Sequence, residues 1–134
     1  TIGGSFVHLD FNRNQSAEII RAAQEGIAFS MVYGIELLGN VGVKPKKLKA
    51  GLANMYLSEL FTQAIVNASG ASVELLESDG AFGAALGAGA GVGYYANEDE
   101  AVSHIKVLQT IQPDANLQNA YADAYGVWKN NLPA

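Results

Sequence analysis

Lys47-Leu48-Lys49-Ala50-Gly51-Leu52-Ala53-Asn54-Met55-Tyr56-Leu57-Ser58, running on through a second segment to Gly70 and then to Ser72-Val73-Glu74-Leu75-Leu76, is the stretch that decides the fold class. Lys47 to Leu52 follows Pro45 and reads as a strand whose long lysines stay at a solvated end. Ser58 to Ser69 reads as a helix closed by Gly70, placed where the chain needs a left-handed residue after the last turn. Ser72 to Leu76 is then a short strand. Strand, helix and strand in such close succession argue for an α/β architecture with helices laid on a sheet.

Working outward, Ile20, Ala23, Ile27, Met31, Ile35 and Leu38 recur at spacings of three and four, so Gln15 to Leu38 is expected to form one long amphipathic helix. Asn14 or Ser16 is available to cap it, and Gly39 to Gly42 end it. Gly26 and Gly34 inside it suggest close approach by a neighbour. Upstream, Ser5 to Phe11 places Phe6, Leu9 and Phe11 among polar residues and reads as an opening strand. Downstream, Asp79 to Tyr94 is rich in Ala and Gly and is expected as a helix packed tightly on the sheet. Asn97 to Val107 and Pro113 to Lys129 are expected as further helices, the last with Leu117, Tyr121, Tyr125 and Trp128 on one stripe. Three strands make a small sheet for that many helices, so an uncovered edge is expected.

Composition narrows the function classes. At 134 residues the chain holds one core or part of one, and a hydrophobic share of 49% against 16% charged excludes disorder. The net charge of −5 divides unevenly, with six Lys/Arg against four Asp/Glu up to Ser58 and two against nine beyond it. That acidic total opposes broad binding to nucleic acid or to an anionic membrane and leaves a small anionic ligand open. The absence of cysteine removes disulfides, thiolate metal sites and thiol nucleophiles together. No leader pattern opens the sequence, which makes the cytoplasm the expected compartment, and the first residue, Thr1, is what a fragment or a processed chain would show.

The junction Lys49 to Ser58 passes from a strand end through small and polar residues into a helix start. Free backbone N–H groups and a positive helix end are how α/β proteins receive anionic or nucleotide ligands. The same residues also fit an ordinary turn capped by Ser58 or Asn54. Gly80 to Gly93 lacks the G-x-G-x-x-G spacing of a dinucleotide fingerprint. Gly83, Gly87 and Gly91 instead recur every four residues, a flat stripe that close helix packing accounts for. His8 and His104 have no partners at metal spacing, and Asp10 and Glu25 read as solvated or capping carboxylates. The lysines between Lys44 and Lys49 are a soluble turn or an attractant for phosphates.

Several segments together resemble one family. Arg21-Ala22-Ala23-Gln24-Glu25-Gly26-Ile27-Ala28-Phe29-Ser30, continuing through Tyr33-Gly34-Ile35-Glu36-Leu37-Leu38, is similar to the R-A-x-x-E-G-[IV]-A-[FY] helix in the C-terminal half of the FGGY carbohydrate kinases, xylulose kinases in particular. Ala53 to Phe61 stands where those enzymes have a glycine-rich loop followed by a serine and an aromatic. Asp79 to Ala88 resembles their G-A-x-G-A-A-x-x-A helix, and Gln112-Pro113-Asp114 leading to Tyr121, Tyr125 and Trp128 resembles their closing helix.

The resemblance implies a ribonuclease-H-like partial domain of the actin and hexokinase type, with a mixed sheet and flanking helices. Residues 1–134 would be the latter part of the C-terminal, ATP-side lobe, and the N-terminal lobe with the sugar site and the catalytic aspartate is absent. The complete enzyme would take Mg-ATP and a pentulose sugar, with Mg held by parts outside this chain. Such chemistry relies on positioning and electrostatics. With the first strands of the lobe missing, an exposed sheet edge or apolar face is expected to be covered by self-association, making the chain a homo-oligomer. Its acidic charge keeps the expectation of no nucleic acid and no membrane partner. Gly51, Ala53, Asn54 and Met55 would border the adenosine, Asn54 as the principal side chain, with Ser58 at the helix start as cap or ligand group. Glu25 and Gly26 would lie behind the pocket, and no residue would be catalytic. Ala53-Asn54-Met55 replaces the family's glycine run, which keeps a second reading open, a non-catalytic interaction module that retains the lobe without nucleotide binding.

Overall fold

The computed structural model describes residues 3–103 and 105–132, with no account of the Glu98 side chain, and His104 lies outside the described residues. Helix α1 (Ser16–Asn40) is followed by strand β1 (Lys47–Gly51), a 3₁₀ turn (Asn54–Leu57), helix α2 (Glu59–Ser69), strand β2 (Ser72–Leu76), helices α3 (Gly80–Gly91) and α4 (Glu98–Ser103), strand β3 (Val107–Ile111) and helix α5 (Ala115–Asn130). The start of α1 is fixed at Gln15, whose N–H donates to the Glu18 carboxylate at 2.9 Å. Helix α2 ends as expected on Gly70 with φ +71°.

The sheet has the order β1-β2-β3. β1 and β2 run parallel with Leu48 opposite Val73 and Gly51 opposite Leu76. β3 is antiparallel to β2, with a register shift at Leu75/Leu76. The sheet is therefore mixed, and both of its outer strands have a single neighbour among the described residues. Val73 and Leu75 of β2, flanked by Leu48, Ala50 and Ile111, meet Phe61, Ala64 and Ile65 of α2, and Ala28, Phe29 and Tyr121 complete the core. Burying Phe61, Ile65 and Val73 stabilises the fold by about 1.5–3 kcal/mol each. α1 and α5 both pack along α2, so helices α1, α2 and α5 form one layer on one face of the sheet.

Two expected elements are corrected. Ser5 to Phe11 is not a strand: His8 takes φ +59°, which breaks extended geometry, and the chain then closes a turn in which Asn12 N–H donates to the Asp10 carboxylate at 2.9 Å. The expected helix over Asn97 to Val107 stops at Ser103, and Val107 instead opens β3. Four of the five residues of β3 are exposed, so its side chains carry little of the alternation that marks a half-buried strand.

A third correction concerns α3, which packs on α4 and not on the sheet. Only Leu86 of α3 is buried. A Cβ placed on Gly83, Gly87 or Gly91 would meet nothing within 4 Å, so no neighbour uses the flat stripe for close packing. Gly34 is similarly free, and Gly26 meets only Trp128 Nε1 at an ordinary 3.8 Å. The accessible surface, 8991 Å², is about a third larger than the roughly 6,700 Å² that size scaling gives a compact monomer of this mass. Phe6, Phe11, Leu57, Val92 and Tyr94 are among the large apolar side chains left exposed.

Candidate functional site

β1 ends where β2 ends, and the geometry there leaves room for glycine alone. Leu52 N–H extends the parallel pairing by donating to Leu76 O at 2.9 Å, and Ala53 N–H turns back onto Gly51 O at 2.8 Å. A Cβ on Gly51 would stand 2.4 Å from Ser78 O and 2.9 Å from Ser78 C, so the two strand ends approach backbone to backbone. Asn54 follows with φ +51°, a left-handed conformation that asparagine tolerates better than most residues. The 3₁₀ turn is closed by Tyr56 N–H donating to Ala53 O at 3.1 Å.

Ser58 caps α2. Its Oγ accepts from Phe61 N–H at 3.4 Å and donates to Gln24 Oε1 at 2.5 Å, tying the loop to α1. Asp79 in turn caps α3 by accepting from Phe82 N–H at 2.8 Å. Phe61 in the first turn of α2 and Asp79 and Gly80 at the start of α3 all line the crevice outside the carboxyl ends of the parallel strands, the place where open α/β sheets receive ligands.

That crevice is a cleft of about 640 Å³, inside the roughly 300–1,000 Å³ of typical ligand pockets. Its floor is Ala50, Gly51, Ala53, Asn54 and Met55, together with Leu76 and Ser78 from the end of β2. Ile27 and Met31 of α1 form one wall, Gly80, Gly83 and Gly87 of α3 the other, and Ala101, Val102 and Ile105 close the far end. Tyr56 leans on Phe61 edge to face at 5.4 Å, and burial pushes its phenol above the usual tyrosine range, which keeps it neutral. Lys49 and Asp79 are the charged side chains of the lining.

Gly51, Ala53, Asn54 and Met55 are therefore brought together on one surface, whereas Ser58 stands beside it as a cap and is not in the lining. Glu25 and Gly26 are also outside the lining: Glu25 pairs with Arg21 at 2.8 Å, and Gly26 faces Trp128. The wall residues Gly80, Gly83, Gly87, Ile27 and Met31 were missed, although the four-residue glycine spacing was a visible signal. No group of three or more metal-ligating side chains occurs among the described residues. The lining holds polar side chains fit to bind and orient, with apolar walls suited to a planar ring.

No protein-family model matches the chain. Over 123 residues, or 88% of its length, it is 28% identical to the L-xylulose/3-keto-L-gulonate kinase of Escherichia coli K12, of which it covers 24%. Its fold superposes on the crystal structure of xylulose kinase from Rhodospirillum rubrum with a TM-score of 0.76 at 21% identity, over 96% of this chain and 26% of that one. The chain thus spans about a quarter of the length of the relatives it matches. The expected partial α/β domain, a mixed sheet with flanking helices, is the fold found, and it superposes on the matching portion of a xylulose kinase.

Proposed function

We propose that residues 1–134 form the latter part of the C-terminal lobe of an FGGY-type carbohydrate kinase, and that the cleft takes the adenosine end of ATP. The observation that carries this reading is the cleft's position at the carboxyl ends of β1 and β2, floored by Gly51, Ala53, Asn54 and Met55. Backbone at Gly51 and Ala53 offers close approach, Asn54 offers an amide for ring nitrogens, and Met55 with Ile27 and Met31 offers apolar faces. The likeness to sugar kinases supports a transferase acting with ATP on a pentulose.

This chain binds and orients; it supplies no phosphoryl acceptor site and no base. Mg would accompany ATP, held by parts of the enzyme outside this chain. The complete enzyme is proposed to be cytoplasmic and this chain to self-associate into a homo-oligomer, which the exposed apolar surface and the outer strands, each with a single neighbour among the described residues, support. No described helix is long and apolar enough to cross a membrane.

Calorimetric titration with ATP tests the reading: weak, saturable binding that Asn54→Ala reduces supports it, and rapid sugar phosphorylation by this chain alone contradicts it. A second reading, an interaction module without nucleotide binding, draws on Ala53 and Met55 standing in place of the family's glycines and on the exposed apolar surface. Absence of any ATP binding at millimolar concentration favours it.

A further inference from the structure

The lysine cluster noted in the sequence is divided by the strand. Lys47 and Lys49 project from the same face of β1, because alternate residues of a strand share a side. Their cross-strand neighbour is Glu74, which the register places opposite Lys49. The carboxylate of Glu74, however, is engaged by Lys47, and at 14% exposure it is shielded by that pairing. Lys49 is left without an ion pair among the described residues, one step nearer the cleft, whose lining it joins.

The other charge of the lining, Asp79, is bound to the start of α3 through Phe82 N–H, where the helix end offsets part of its charge. A lysine in the lining of a cleft whose other charged side chain is already engaged, in a chain of net charge −5, is a group available to an anion from outside. We infer that Lys49 holds a phosphate of the nucleotide that occupies the cleft, an inference that rests on the reading above. The apolar walls take the ring and Lys49 sets the end at which the phosphates leave, so it discriminates nucleotide from nucleoside.

The test compares ADP with adenosine on the 134-residue chain at low salt, for the unaltered chain and for Lys49→Met, Lys49→Arg and Lys44→Met. Lys49→Met is expected to weaken ADP about five- to tenfold and adenosine less than about twofold. It should also flatten the fall of ADP affinity with salt, as loss of an exposed charge contact does. Lys49→Arg, which keeps the charge, should restore ADP binding to within about threefold, and Lys44→Met, which removes a lysine outside the cleft lining, should leave the ADP-to-adenosine ratio unchanged. Equal losses for both ligands, or unaltered ADP binding in Lys49→Met, overturn the role of Lys49 alone. An unaltered chain that binds neither ligand overturns the nucleotide reading and this inference with it.

Discussion

Helices α2 and α3 have the same beginnings and different fates. Each follows a strand, each is capped by a side-chain oxygen, from Ser58 or Asp79, and they differ by one residue in length. Yet α2 buries Phe61, Thr62, Ala64, Ile65, Val66 and Asn67, while α3 buries Leu86 alone. The contrast teaches that a capping side chain can start a helix even in a glycine-rich segment, whereas fixing it in place needs side chains of unequal polarity. α2 has them. α3 is almost wholly Gly and Ala, so no face is driven inward, and Gly80, Gly83, Gly87 and Gly91 are left facing open space while Gly89 alone meets a neighbour, the Tyr95 ring. One helix anchors the core and the other serves as a smooth wall.

Substitutions can break that comparison or sharpen it. Phe61→Ala removes the largest fully buried side chain and should cost about 3–5 kcal/mol in denaturant unfolding, whereas Phe82→Ala, on an exposed side chain of α3, should cost under about 0.5 kcal/mol. Similar losses at both sites would mean that α3 is as well anchored as α2. Next come the glycines, where opposite signs are expected. Gly51→Ala drives a methyl into the backbone of Ser78 and should destabilise by about 1–3 kcal/mol, while Gly83→Ala and Gly87→Ala meet nothing and should stabilise by about 0.5–1 kcal/mol each. Destabilisation at Gly83 would show that something packs on the stripe. Ser58→Ala removes a cap and the donor to Gln24, with an expected loss of about 1 kcal/mol in the same assay.

The smallest effect concerns the strap between α1 and α5. Glu36 accepts from Lys129 and from the Tyr125 hydroxyl, and these bonds, that of Lys129 first, hold its carboxyl below the usual carboxylate range. A depressed folded value means that Glu36 stabilises the fold above its ordinary titration and that this contribution is lost as pH falls through the depressed value. Thermal melts of the unaltered chain and of Glu36→Gln should therefore differ slightly at pH 7 and converge in acid. A gap that persists in acid contradicts the assignment.

Much of this arrangement was legible in the sequence because the informative residues act locally. The lysine-flanked strand, Ser58, Gly70 and the Ser72 to Leu76 strand are each set by neighbours a few positions away, and the floor of the cleft follows from that junction. The rest depended on distant partners. Whether Phe6 to Phe11 forms a strand depends on having a strand to pair with, and Val107 to Ile111 becomes one because β2 offers an edge. A glycine stripe reads the same whether a helix or a void lies against it. The need for glycine at position 51 arises from Ser78, which the sequence does not place beside it.

Hydrogen exchange of the backbone with and without ADP puts the central claim to the most direct test. If the cleft receives the nucleotide, amides from Gly51 to Leu57 and from Gly80 to Gly91 slow on binding, while those of α5 keep their rates. Unchanged exchange in both cleft segments at a saturating concentration, or slowing confined to α5, would contradict the assignment of the cleft.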